Sequence, residues 1–187
     1  MINIIDKLNG KNIQNLITGN FEKLAPTYYR LISEWMNSSY EVFNDIDKYR
    51  IILYLINKDF EHYIQIKKIE SYDNFFMFDK SLELDRINII EISKSLNIPK
   101  ESTRRKILDL EKLNVLQKIG KKIYIDRSAY RLVQPKNTLK NLSALLSKIS
   151  EILKIENLID KSLNVDEVSE HLKDNFSYCW YYFYIFI

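Results

Sequence analysis

The sequence predicts a mostly α-helical protein whose middle carries two short helices followed by a small β-hairpin. Three observations predict it. Glycine and proline number only 3 each among 187 residues, far below ordinary usage of roughly 7% and 5%, so few breakers interrupt the chain. Apolar residues recur at helical spacing along several stretches. Between residues 115 and 126 the period changes: Val115–Ile119 and Lys122–Asp126 are short β-rich runs on either side of Gly120-Lys121. At this length the chain can hold one domain, or two small ones, with a sizeable core.

Residues 1–69 read as an N-terminal helical region. Ile4, Ile5 and Leu8, then Ile13, Leu16 and Ile17, predict one or two short helices, broken near Gly10 and ended by Gly19-Asn20. A helix starting near Pro26 would carry Tyr28, Leu31, Ile32, Trp35 and Met36 on one face until Asn37-Ser38-Ser39 interrupts it. Asp45 can cap a longer helix in which Ile46, Tyr49, Ile52, Leu53, Ile56 and Phe60 align. Residues 70–85 lack clear periodicity and read as a linker containing an apolar plug, Phe75–Phe78.

Residues 86–134 hold the most informative pattern. Asn88 is placed to cap a helix, with Glu91 at capping-box spacing and Ile89, Ile92 and Leu96 apolar beyond it. Ser93 is small where a second helix must cross closely. The helix stops at Asn97, and Pro99 stands where the next begins, its fixed φ costing nothing in a first turn. Thr103, Ile107, Leu110 and Asn114 lie along one face of that second helix, Lys100–Leu113.

This stretch resembles the winged helix-turn-helix domains of bacterial transcriptional regulators. Those commonly read small–x–x–Leu–Gly–Val, a turn, a recognition helix, and then Gly–Leu–hydrophobic into the wing. The corresponding runs here are Ser93-Lys94-Ser95-Leu96-Asn97-Ile98 and Leu113-Asn114-Val115-Leu116. Both glycine positions hold asparagine, one of the few other residues that tolerate the left-handed conformation such turns need. The resemblance covers residues 87–125. It implies a central winged helix that binds duplex DNA and regulates transcription, with the second helix in the major groove.

Charge agrees with that expectation. Residues 86–124 hold ten Lys or Arg against four acids, a net of +6, so the rest of a chain of net +3 carries −3. A basic segment on a mildly acidic body is the electrostatic footprint of a nucleic-acid contact surface. With Thr103, Ile107 and Leu110 turned inward, the opposite face presents Glu101, Ser102, Arg105 and Asp109, with Arg104 at its edge. Arginine suits a bidentate contact to guanine, whereas Lys100 and Ser102 near the helix N-terminus suit phosphate. In the wing, Lys118, Lys121 and Lys122 would meet the flanking backbone or minor groove.

Residues 138–187 read as a C-terminal helical region. Leu139, Leu142, Leu146, Ile149 and Leu153 form one apolar stripe over about two heptads, which fits packing on the chain's own domain ahead of a dimer seam. If the regulator is a homodimer, Leu142 and Leu146 are its expected seam. Asn164 and Glu167 stand at capping-box spacing before Val165, Val168 and Leu172. The final run, FSYCWYYFYIFI, is almost wholly apolar. It is shorter than the ~20 residues a membrane-spanning helix needs, and exposed it would be sticky. The expectation is a chain that continues beyond it.

Catalytic constellations are absent from the sequence. His62 and His171 lie far apart, the lone Cys179 sits amid aromatics, and Gly10, Gly19 and Gly120 are isolated. No enzyme, metal or cofactor is expected. A single cysteine and no secretory signal suit a cytoplasmic protein. An effector pocket could draw on Tyr28, Trp35, Tyr49 and Tyr54, although most of the aromatics fall on core faces. Two alternatives remain open: a winged helix serving as a protein-interaction scaffold, and a regulator tethered to a membrane by sequence beyond Ile187.

Overall fold

The computed structural model describes residues 10–77, 82–84, 87–120, 122–125 and 133–185. In chain order its elements are α1 (Gly10–Gly19), α2 (Phe21–Phe43), α3 (Ile46–Gln65), α4 (Tyr72–Met77), β1 (Leu82–Leu84), α5 (Ile89–Leu96), α6 (Lys100–Lys112), β2 (Leu116–Ile119), β3 (Lys122–Ile125), α7 (Lys136–Ile155), α8 (Val165–Asp174) and α9 (Phe176–Ile185). The protein is mostly helical. Two compact units divide it: Met1–Asn37 with Pro135–Leu172, and Ser38–Gln134 with Lys173–Ile187. These boundaries differ from those expected of the sequence, since α3 and the terminal α9 share a unit with the 86–134 region. Ile4, Ile5, Leu8 and Phe78 lie outside the described residues.

Helix α2 starts earlier and ends later than its periodicity predicts, and its last residues, from Ser38 on, belong to the second unit. Asn37-Ser38-Ser39 does not interrupt it; Ser39 is small and fully buried on the helix. Pro26 lies in its second turn, where its ring forfeits one intrahelical hydrogen bond. Leu24 and Leu31 are buried, but Tyr28 and Met36, expected to share an inner face with Leu31, are exposed.

The buried side of α7 also differs from the leucine stripe. Leu139 and Leu142 are buried together with Thr138, Asn141, Ser143, Ser147, Ser150 and Ile152, while Leu146, Ile149 and Leu153 are half-buried. The serines explain the shift, because they bind the segment that follows the helix. Ser147 Oγ donates to the Leu163 carbonyl at 2.9 Å, and the Leu163 N–H donates to Ser150 Oγ at 2.9 Å. Asn141 Nδ2 donates to the Glu34 carboxylate of α2. With Leu142 buried, the residue expected to lead a dimer seam belongs to the chain's own core. Ahead of α8 the capping box forms, Glu167 N–H to Asn164 Oδ1 at 2.9 Å and Asn164 N–H to Glu167 Oε2 at 2.8 Å.

The second unit is built on α3. Asp45 caps it, accepting from the N–H groups of Asp47 and Lys48 at 3.0 and 3.3 Å. Tyr49, Ile51, Ile52, Leu55, Ile56 and Phe60 are buried, and α3 packs against β1, α5, α6 and α9. The stretch 70–85, expected as a linker, contains both α4 and β1. Elements of six and three residues are too short to display a period, which is why the sequence conceals them.

Strand β1 pairs antiparallel with β3 (Leu82↔Ile125, Leu84↔Ile123), and β2 pairs antiparallel with β3 (Leu116↔Ile125, Ile119↔Lys122). The strand order is β1-β3-β2. Leu116, Ile123 and Ile125 are buried on its inner face. Gly120, at φ +63°, begins the two-residue connection between β2 and β3, a conformation open to glycine without steric cost.

The apolar terminal run is helical over Phe176–Ile185 and only partly covered, with Tyr178 and Tyr182 exposed. It forms α9, in which Phe176 and Trp180 are buried against α3 and α4. Phe176 lies 5.8 Å from Phe60, 5.2 Å from Tyr72 and 5.0 Å from Trp180, ring centre to ring centre. Phe75 lies 4.8 Å from Phe60. Such offset and edge-on contacts add to the burial that rings of this size contribute. Burial also raises the Cys179 thiol above its ordinary pKa. Among the described residues, no helix is long and apolar enough to cross a membrane.

Candidate nucleic-acid interface

Two asparagines set the geometry of α5 and α6. Asn88 Oδ1 accepts from the N–H groups of Ile90 and Glu91, each at 3.0 Å, and so caps α5. Glu91 does not return the bond that a full capping box would need. Its carboxylate accepts instead from the Tyr54 hydroxyl at 3.0 Å, which ties α5 to α3. At the other end Asn97 adopts the left-handed conformation, φ 53° and ψ 40°, and the Ile98 N–H reaches back to the Ser93 carbonyl at 3.1 Å.

The turn is satisfied from within. Ser93 Oγ donates to the Ile98 carbonyl at 2.7 Å, and Thr103 Oγ1 lies within bonding distance of the carbonyls of Ile98 and Pro99. Thr103, Ile107 and Leu110 then face the core. After α6, Asn114 repeats the device at φ 55°, with the Val115 N–H bonded to the Leu110 carbonyl at 3.0 Å. The orientation of α6 is thus fixed at both ends and along one side.

A second set of contacts, which the sequence does not reveal, docks α6 on the start of α3. Lys106 pairs with Asp45 and Asp47, and Lys48 pairs with Asp109 at 3.3 Å. Arg50 donates to the Leu96 carbonyl at the end of α5 at 2.8 Å. Burial pushes the Asp45 carboxyl up, but the Lys106 ammonium and the N–H groups of Lys48 and Asp47 outweigh it and hold the carboxyl below its ordinary value. The hydrogen bond from Lys48 does the same for Asp109. Asp45 is legible in the sequence as a cap and Lys106 as one cation among ten. Their partnership is not, because they stand 61 residues apart.

The sequence-predicted contact residues separate into groups. Arg104 forks onto Glu101, its Nε 3.0 and 2.9 Å from the two carboxylate oxygens, and this hydrogen bond lowers the Glu101 pKa. Lys106 and Lys112 are also committed to acids. Lys94, Lys100, Arg105 and Lys118 are exposed and make no ion pair among the described residues. Ser102 is half-buried beside Arg105, and both line an open groove of about 440 Å³ with Lys106, Leu108, Asp109 and Lys112. Lys122 belongs to β3 by its backbone, but its side chain lies outside the described residues, as do Arg86 and Lys121. The structure therefore brings Ser102 and Arg105 together on one groove, leaves Lys100 exposed at the start of α6, and withdraws Arg104 into a pair on its own helix.

Among the described residues no cluster of three or more His, Cys, Asp or Glu side chains is placed to hold a metal ion. No protein-family model matches the chain, and neither the curated proteins nor the solved structures yield a match to it.

Proposed function

We propose that the chain binds duplex DNA as a winged-helix transcriptional regulator of the cytoplasm, with α6 entering the major groove and β2–β3 acting as the wing. The observation that carries this reading is the division of α6. Thr103, Ile107 and Leu110 seat one side in the core, while Arg105 stands exposed on the other and, like the exposed Lys100 at the helix start, makes no ion pair among the described residues. The order α3, α4, β1, α5, α6, β2, β3 within one unit, with the pair α5–α6 followed by the hairpin β2–β3, supports it further. In this reading Arg105 meets a base edge, while Lys100, Ser102 and Lys118 meet phosphates.

The test is a mobility-shift titration with duplex DNA from low to high salt. Affinity should fall with a log–log slope of about −0.9 for each phosphate neutralised, and Lys100→Ala with Lys118→Ala should flatten it by about 2 × 0.9. Folded protein that binds no DNA at low salt overturns the proposal. A scaffold role is the second reading, favoured by Leu108, which is exposed in the groove beside Arg105. It requires a protein partner on that groove and no binding of DNA.

A further inference from the structure

Helix α2 has two apolar sides, and only one of them is used. Leu24 and Leu31 are buried. Phe21, Ala25, Tyr28, Ile32 and Met36 follow one another at spacings of three and four residues, with Tyr29 alongside, so they form a second stripe. On this stripe Phe21 is 41% exposed, Tyr28 40%, Tyr29 61% and Met36 52%. Lys23, Arg30 and Glu34 lie away from it on the same helix.

We propose that this face is the seam of a homodimer, in which α2 of one chain packs against α2 of a second copy about a two-fold axis. Size is the first argument. At roughly 200 Å² for each large side chain, those exposures leave roughly 400 Å² on four residues alone, which reaches the largest patches that monomers usually expose. Two such faces, with Ala25, Ile32 and the polar rim added, approach the ~1,000 Å² that a specific association needs. An identical helix matches the stripe in length.

Chemistry is the second argument. Tyrosine, phenylalanine and methionine are the residues enriched in the buried centres of interfaces, where charges are depleted. With no charge between Ala25 and Met36 along the stripe, nothing on it selects an acidic or basic partner. A face without charge brings no like charges together when it meets its own copy across a two-fold axis. The third argument is order. Phe21, Tyr28 and Tyr29 already pack edge-on against one another, with ring centres 5.6 to 6.2 Å apart. Part of the entropy of fixing these side chains is therefore lost before association. The seam rests on the first unit alone and needs no assumption about DNA.

Sedimentation velocity of the full chain at tens of micromolar tests it. The wild type should sediment as a dimer. Tyr29→Glu with Met36→Glu should weaken association by at least about 100-fold, the effect of losing two anchoring side chains. Tyr29→Ser with Met36→Ser provides the same readout if the glutamates disturb folding, which circular dichroism checks. Tyr178→Glu with Tyr182→Glu, at the exposed pair on α9, should leave the dimer intact. A monomeric wild type, a dimer that survives the α2 substitutions, or a dimer abolished by the α9 pair overturns the proposal.

Discussion

Ser177 and Glu70 exchange two hydrogen bonds across 107 residues of chain. The Glu70 N–H donates to Ser177 Oγ at 2.9 Å, and the Ser177 N–H donates to the Glu70 carbonyl at 3.0 Å. Both residues are buried. The pair pins the first turn of α9 to the segment leading into α4, so that Phe176 and Trp180 are delivered into the aromatic core of the second unit. Removing the hydroxyl would strand a buried N–H without an acceptor.

Ser177→Ala should therefore destabilise the second unit by about 1–3 kcal/mol. Thermal unfolding followed by near-ultraviolet circular dichroism, which reports on the packed aromatics, is the measurement. A melting temperature unchanged within error would mean that the ring contacts hold α9 without this bond.

Asp45 makes stability depend on acid. Lys106 and the two N–H groups favour its carboxylate over the burial that opposes it, so the folded chain releases this proton below the ordinary value of 3.8. The stabilisation is complete above that value and is lost as pH falls through the lower folded one. Asn retains the capping oxygen but not the charge. Asp45→Asn should thus cost about 1 kcal/mol at neutral pH, and the gap from wild type should close as pH falls to about 2. Urea midpoints for both proteins across that range decide it.

The left-handed turn at Asn97 makes a prediction of opposite signs. Asn97→Ala should destabilise by about 1 kcal/mol, since a Cβ without the asparagine amide pays the full left-handed penalty. Asn97→Gly should be neutral or stabilising by a few tenths of a kcal/mol. Urea denaturation of the pair measures the difference; equal effects would show that the turn relaxes to another conformation.

Arg104 and Arg105 are neighbours with different fates. Arg104 is engaged by Glu101, whereas Arg105 has no partner among the described residues. On the proposed DNA-binding reading, Arg105→Ala should lose about 1–3 kcal/mol of discrimination between a selected site and a scrambled control. Arg104→Ala should lose less. Competition binding with both duplexes is the readout, and a larger effect at Arg104 would assign the reading role to the other arginine.

Much of the local architecture of the second unit is legible in the sequence, because it depends on neighbours within a turn or two of helix. The caps at Asp45 and Asn88, the inward row Thr103, Ile107 and Leu110, and the asparagines that tolerate positive φ at 97 and 114 are all of this kind. The Glu101–Arg104 pair was also within reach, three residues apart on one helix, and it removes one of the two arginines that α6 offers to DNA. What the chain's order of residues does not reveal is who covers whom. Periodicity marks an apolar side but not its partner, so it could not distinguish the buried Leu142 from the exposed Tyr28 and Met36. The pairing of Leu82 with Ile125, the burial of Trp180, and the hold of Asp45 on Lys106 arise from segments that meet only when the chain folds. Tertiary structure decides these because burial and ion pairing are properties of distance in space, which separation along the chain does not set.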